Sequence, residues 1–120
     1  MAYRAATPRL AYHLWVALRV RVCEVTDVVA GELRGYDVEG VTWPVMVTRQ
    51  GDAIIAFPGV CPHDDVSFVD YGVLEGNAVR CRVHGYTFDL DTGRCGHMPA
   101  LQLRRYKVTL LGAEVWVDLL

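Results

Sequence analysis

Long apolar runs are missing from this 120-residue chain: the stretch from Leu10 to Leu18 is broken by His13 and falls well short of the ~20 residues a membrane-crossing helix needs. Charge of one sign is missing too. Twelve Lys and Arg against fourteen Asp and Glu leave a net −2, which gives no electrostatic footprint for nucleic acid. There is no glycine fingerprint for a dinucleotide, no phosphate loop and no two-histidine, one-carboxylate set for an oxygen-activating iron. No βαβ unit, internal repeat or low-complexity tract can be found. At this length the chain makes one domain, able to bury roughly two-thirds of its unfolded surface.

What is present reads as short strands. Leu18, Val20 and Val22 alternate with Arg19 and Arg21, the pattern of a half-buried strand. Thr26-Asp27 is expected to cap a short helical turn before Gly31, and Leu33 to Val38 resumes extended character. Val45-Met46-Val47 and Ile54-Ile55-Ala56 flank Gln50-Gly51-Asp52, a hairpin signal. Tyr106 to Leu110 and Glu114 to Leu119 flank Leu111-Gly112-Ala113, with Val115, Val117 and Leu119 alternating against Glu114, Trp116 and Asp118. A meander of antiparallel strands follows.

Cysteines are few, and two of the four stand beside histidines. Cys61-Pro-His63 and Cys81-Arg-Val-His84, separated by seventeen residues, give two soft thiolates and two imidazoles, enough for a closed metal site. Cys2His2 also serves structural zinc, but zinc-finger patterns pair Cys with Cys and His with His on separate elements. Here each segment carries one of each. That arrangement suits a binuclear cluster, in which each segment sends its cysteine to one iron and its histidine to the other. All four ligands are expected in loops between strands.

The pattern Cys-x-His-x17-Cys-x-x-His resembles the binding motif of Rieske [2Fe–2S] proteins, where two cysteines hold one iron and two histidines the other. From about Trp15 to Leu120 the chain is similar to small Rieske ferredoxins, with Gly85, Phe88, the turn Asp91-Thr92-Gly93 and Pro99 where that family has its second loop, hairpin and covering proline loop. The resemblance implies an all-β Rieske fold of three antiparallel sheets over residues 15–120, with a cluster-binding subdomain of about 57–100 at one tip. One [2Fe–2S] cluster per chain, held by Cys61, His63, Cys81 and His84, follows from it.

Residues 1–14 then form an N-terminal extension. Arg4 and Arg9 without an acid partly match a leader peptide, yet there is no twin-arginine pair and no small-residue cleavage site. With two cysteines assigned to iron and Cys23 and Cys95 far apart, a reducing cytoplasm is the simpler compartment.

Absences near the motif bear on function. High-potential Rieske subunits of respiratory complexes carry an extra cysteine in each loop, joined as a bracing disulfide; the corresponding residues here are Val66 and Val83. Their serine and tyrosine hydroxyls, which bond to sulfur, are replaced by Tyr86 and Phe88. Asp64 and Asp65 add negative charge, or else belong to a solvated, partner-facing loop. Fewer hydrogen bonds and more negative charge both disfavour reduction, placing the potential at the low end of a range of about −150 to +300 mV.

The resemblance therefore implies an electron carrier rather than an enzyme: a monomer that takes single electrons from an NAD(P)H-dependent flavin reductase and delivers them to a terminal oxygenase. That oxygenase is either a Rieske ring-hydroxylating dioxygenase or a diiron hydroxylase, with "VCEVTDVVAGELRGYDVEG" and the aromatic Tyr86 leaning towards the diiron systems. The alternatives are a fixed Rieske subunit of a larger complex and a zinc-stabilised binding module. His97 is expected to be solvated, Cys23 and Cys95 to be buried, and Trp15, Trp43 and Trp116 to pack in the core or on a sheet face. Arg104, Arg105 and Lys107 read as the wet face of one strand.

Overall fold

The alternating valines near the start do form a strand. In the computed structural model, which describes residues 19–119, β1 spans Arg19–Glu24; the expected extension over 1–14, Trp15 and Leu18 lie outside the described residues. A bulge between Arg21 and Cys23 breaks the simple alternation, so Cys23 rather than Val22 becomes the fully buried residue. The 3₁₀ turn that follows occupies Val25–Asp27, one residue earlier than expected. Of the expected pair, Asp27 does cap the turn, as one half of a capping box with Glu24. Asp27 lies within the turn, and its carboxylate accepts from the Glu24 N–H at 3.0 Å.

Next come β2 (Arg34–Tyr36), β3 (Val45–Gln50) and β4 (Ala53–Pro58), with Gln50 opposite Ala53 across the Gly51-Asp52 turn. A four-residue helix, α1 (Phe68–Tyr71), was not legible as such; the Ser67 hydroxyl caps it by accepting from Val69 N–H. Strands β5 (Gly72–Glu75), β6 (Ala78–Cys81) and β7 (Thr87–Asp89) follow, and β8 (Lys107–Leu111) and β9 (Glu114–Asp118) close the described chain. Three antiparallel sheets result, ordered β1-β9-β8, β2-β3-β4 and β5-β6-β7. The architecture is nearly all-β, as expected, and among the described residues no helix is long and apolar enough to cross a membrane.

The β3–β4 hairpin is a wall between two cores. Side chains alternate along a strand, so Val45, Val47 and Ala56 face one cluster with Cys23, Val115 and Val117, while Met46 and Phe57 face another with Cys61, Phe68, Val79, Cys81, Phe88, Leu90, Cys95 and Leu103. Burial holds the first sheet more firmly than its surface charges do. Val115 and Val117 are wholly buried, worth about 1.5–3 kcal/mol each, whereas half-exposed pairs such as Arg21–Glu114 contribute about 0–1 kcal/mol. The second core is the one that ends at the candidate ligands.

The cationic group near the C-terminus is not one strand's face. Lys107 alone lies in β8, opposite Asp118. Arg104 precedes the strand, donating to the Leu119 carbonyl at 2.6 Å and lying over the Tyr106 ring. Trp116 does lie on a sheet face, its indole N–H donating to Glu114, and Trp43 is partly buried.

Candidate metal centre

Two loops with the same backbone scaffold bring the cysteine–histidine pairs together. In the first, Cys61 N–H donates to the Val66 carbonyl at 2.9 Å and Asp65 N–H to the Cys61 carbonyl at 2.9 Å; in the second, Cys81 N–H donates to the Tyr86 carbonyl at 2.9 Å and Gly85 N–H to the Cys81 carbonyl at 2.8 Å. The fifth residue of each loop takes left-handed backbone, φ 54 at Asp65 and 77 at Gly85. Glycine adopts that conformation freely, and aspartate is one of the few other residues that tolerates it. The histidine stands third in one loop and fourth in the other. One ligand departs from expectation: Cys81 is the last residue of β6 rather than a loop residue, so its sulfur is anchored by the sheet itself.

The donors sort by depth. Cys61 and Cys81 are wholly buried, while the His63 and His84 side chains are 28% and 58% exposed. Asp64, only 7% exposed, sits where all four donors face. Its Oδ2 lies 3.8 and 3.7 Å from the two sulfurs, and its Oδ1 lies 3.0 and 2.5 Å from Nδ1 of His63 and His84. Sulfur donors thus converge on one point and nitrogen donors on a second, in two groups that share Asp64. Despite its nearness to Asp64, the buried Nδ1 of His63 has no hydrogen bond of acceptable geometry.

This donor set fits a [2Fe–2S] group better than a mononuclear ion, which would need all four donors around one point. Burial pushes the Cys61 thiol up to about 11, with the neighbouring Cys81 adding to the rise, so the pocket disfavours thiolates until a metal's positive charge is present. Burial also acts to raise the Asp64 carboxyl, but the hydrogen bond with His84 and the close approach of the His63 ring prevail and hold it below its usual value.

Further side chains cover this centre. The Tyr86 ring stacks on His63 with centroids 4.2 Å apart and planes at 23°, and His97 stacks on Tyr86 at 5.2 Å and 12°. His97 is exposed, yet it is held against a ring rather than simply solvated as expected. Cys95 is buried and bridges Phe88, while Gly96 N–H donates to the Thr87 carbonyl at 2.9 Å, so the segment that carries His97 is laid along β7. Asp64 as the central carboxylate and the ring stack were not legible in the sequence. The left-handed Asp65 was missed as well, although a signal was there: it stands four residues after Cys61 as Gly85 stands four after Cys81.

A model of the Rieske [2Fe–2S] domain matches residues 19–107. The chain belongs to this family. Among Rieske relatives, the chain is 33% identical over 100 residues to the ferredoxin component of biphenyl 2,3-dioxygenase from Rhodococcus jostii, covering 82% of this chain and 91% of that one. To the ferredoxin component of the alkene monooxygenase system of Xanthobacter autotrophicus it is 29% identical over 98 residues, covering 82% and 79%. A solved Rieske structure, the complex of reduced oxygenase and oxidized ferredoxin in carbazole 1,9a-dioxygenase, contains a chain that superposes with TM-score 0.74 at 28% identity, covering 85% of this chain and 94% of that one.

Proposed function

We propose that this Rieske protein is the ferredoxin of an oxygenase system, carrying single electrons from an NAD(P)H-dependent flavin reductase to a terminal oxygenase. The observation that carries the reading is the division of four donors into a buried sulfur pair and a more exposed nitrogen pair. Cys61 and Cys81 would hold the inner iron, and His63 and His84 the outer one. When bound, the [2Fe–2S] group supplies reversible one-electron transfer. The chain's residues keep the sulfur side dry and leave the His84 ring open to a partner. Val83 and Met98, 40% and 42% exposed, give the neighbouring loops an apolar surface for contact.

The named relatives support the carrier role, and the carbazole dioxygenase complex gives a precedent for a ferredoxin bound to its oxygenase. Both oxygenase classes stay within the proposal, since the relatives include a dioxygenase component and a monooxygenase component. The cluster-binding subdomain is assigned to about 57–100 of a domain spanning 15–120. Monomeric carriage in a reducing cytoplasm completes the reading, supported by four cysteines that are all free.

Iron and sulfide analysis combined with rapid mixing tests it. The purified protein should hold two irons and two sulfides per chain, accept electrons from a flavin reductase and be reoxidised by an oxygenase. Cys61→Ser, His63→Ala, Cys81→Ser and His84→Ala should each lose the cluster, while Cys23→Ser and Cys95→Ser keep it. Loss in either of the last two would mean misassigned ligands; a loaded protein that no oxygenase component reoxidises would end the carrier reading.

A further inference from the structure

The two imidazoles of the centre are treated unequally by their surroundings. His63 meets His84 edge-on, with centroids 5.3 Å apart and planes at 79°, but among the described residues only His63 has a ring laid flat against it. That ring, Tyr86, is itself backed by His97. Offset or near-parallel stacking restrains the rotation of each ring in its own pair. Two anchors keep the stack in register: the Cys81–Tyr86 backbone bond fixes Tyr86, and the Gly96–Thr87 bond fixes the chain next to His97.

We propose that Tyr86 and His97 are positioning residues for the outer metal, a two-ring clamp that sets the plane of the His63 imidazole and leaves His84 as the free ring through which the electron departs. The proposal rests on the ligand assignment above. An imidazole joined to iron through Nδ1 can still turn about that bond, and its plane governs how its π orbitals meet the metal. Tyr86 needs only its ring for this, and His97 only a flat aromatic face. The exposures agree, His84 being about twice as open as His63.

Four variants test the clamp in the loaded protein: Tyr86→Phe and His97→Phe keep both rings, whereas Tyr86→Leu and His97→Ala remove one. Expected for the ring-less pair are two irons per chain, a changed electron paramagnetic resonance g-tensor in the reduced state, changed iron–histidine Raman bands, and iron loss to a chelator faster by about two- to tenfold. The Phe variants should match the parent in all of these. A parental spectrum and parental iron loss in His97→Ala would overturn the proposal, as would His97→Phe behaving like His97→Ala. So would an effect of His97→Ala confined to transfer into the oxygenase, which would make His97 a docking contact instead. His63→Ala separates the two levels: if it retains the cluster with a parental spectrum, the ligand assignment itself has failed, whereas cluster loss there with an unaltered His97→Ala sinks the clamp alone.

Discussion

Asp64 and Asp65 are adjacent and chemically identical, yet the fold gives them opposite tasks. Asp64 is turned inward among the four donors, its side chain only 7% exposed. Asp65 is exposed, and its backbone is the constraint: φ 54 matches the glycine of the sister loop. Left-handed backbone costs most residues about 1–2 kcal/mol, and a β-branched side chain fares worst. Asp65→Gly should therefore be at least as stable as the parent, and Asp65→Val less stable by about 1–2 kcal/mol in urea denaturation. Equal stability of the two variants would show that the loop can relax its backbone.

Among the elements, the turn after β7 has the clearest electrostatic signature. Asp89 accepts from the Asp91 and Thr92 N–H groups at 2.7 and 2.9 Å, with Thr92 the larger influence, and these bonds hold its carboxyl below the usual 3.8. Because the folded pKa is lowered, the ionised form stabilises the fold above pH ~4, and that contribution disappears as pH falls through the lowered value. The gap in Tm between parent and Asp89→Asn should be widest near neutrality and close in acid. A gap unchanged at about pH 2.5 would contradict this. Close by, Gly93 has φ 79, and a Cβ there would collide with the Leu103 carbonyl, whose own N–H bonds back to Gly93. Elements of this kind were legible where the signal is local. Gln50-Gly51-Asp52 and Leu111-Gly112-Ala113 marked two hairpins, while the β5–β6 hairpin that turns at Gly76-Asn77 was not read, and the cysteine–histidine spacing marked the donors. Helix α1 escaped notice because Phe68-Val69-Asp70-Tyr71 is too short for a helical period to show, and the β1 bulge because nothing in Arg21-Val22-Cys23 signals the register shift to Val115. The Tyr86–His97 stack depends on a contact made only after β7 has brought residue 97 back.

For the molecule as a whole, the measurable quantity is the reduction potential. Phe88 is wholly buried without a hydroxyl, Tyr86 commits its ring to His63, and Val66 and Val83 exclude a bracing disulfide. The potential should lie near the low end of the span of about −150 to +300 mV and stay nearly flat through neutral pH, falling only in alkali, where reduction becomes coupled to proton uptake. Protein-film voltammetry from about pH 6 to 10 checks both parts. A value near the top of the span, or a proton-coupled slope already present at neutrality, would favour a fixed respiratory-type subunit.

The wall formed by the β3–β4 hairpin has a consequence for a cell short of iron. Since the core around Val45, Val47, Val115 and Val117 contains none of the four donors, chelation should leave its amides slow to exchange with deuterium while those of β6, β7 and the two loops become fast. Such a half-ordered apoprotein would keep a folded base on which the tip can be rebuilt when iron and sulfide return. Uniform loss of protection across Val47, Val117 and Val79 would instead mean that the hairpin couples its two faces into one cooperative unit.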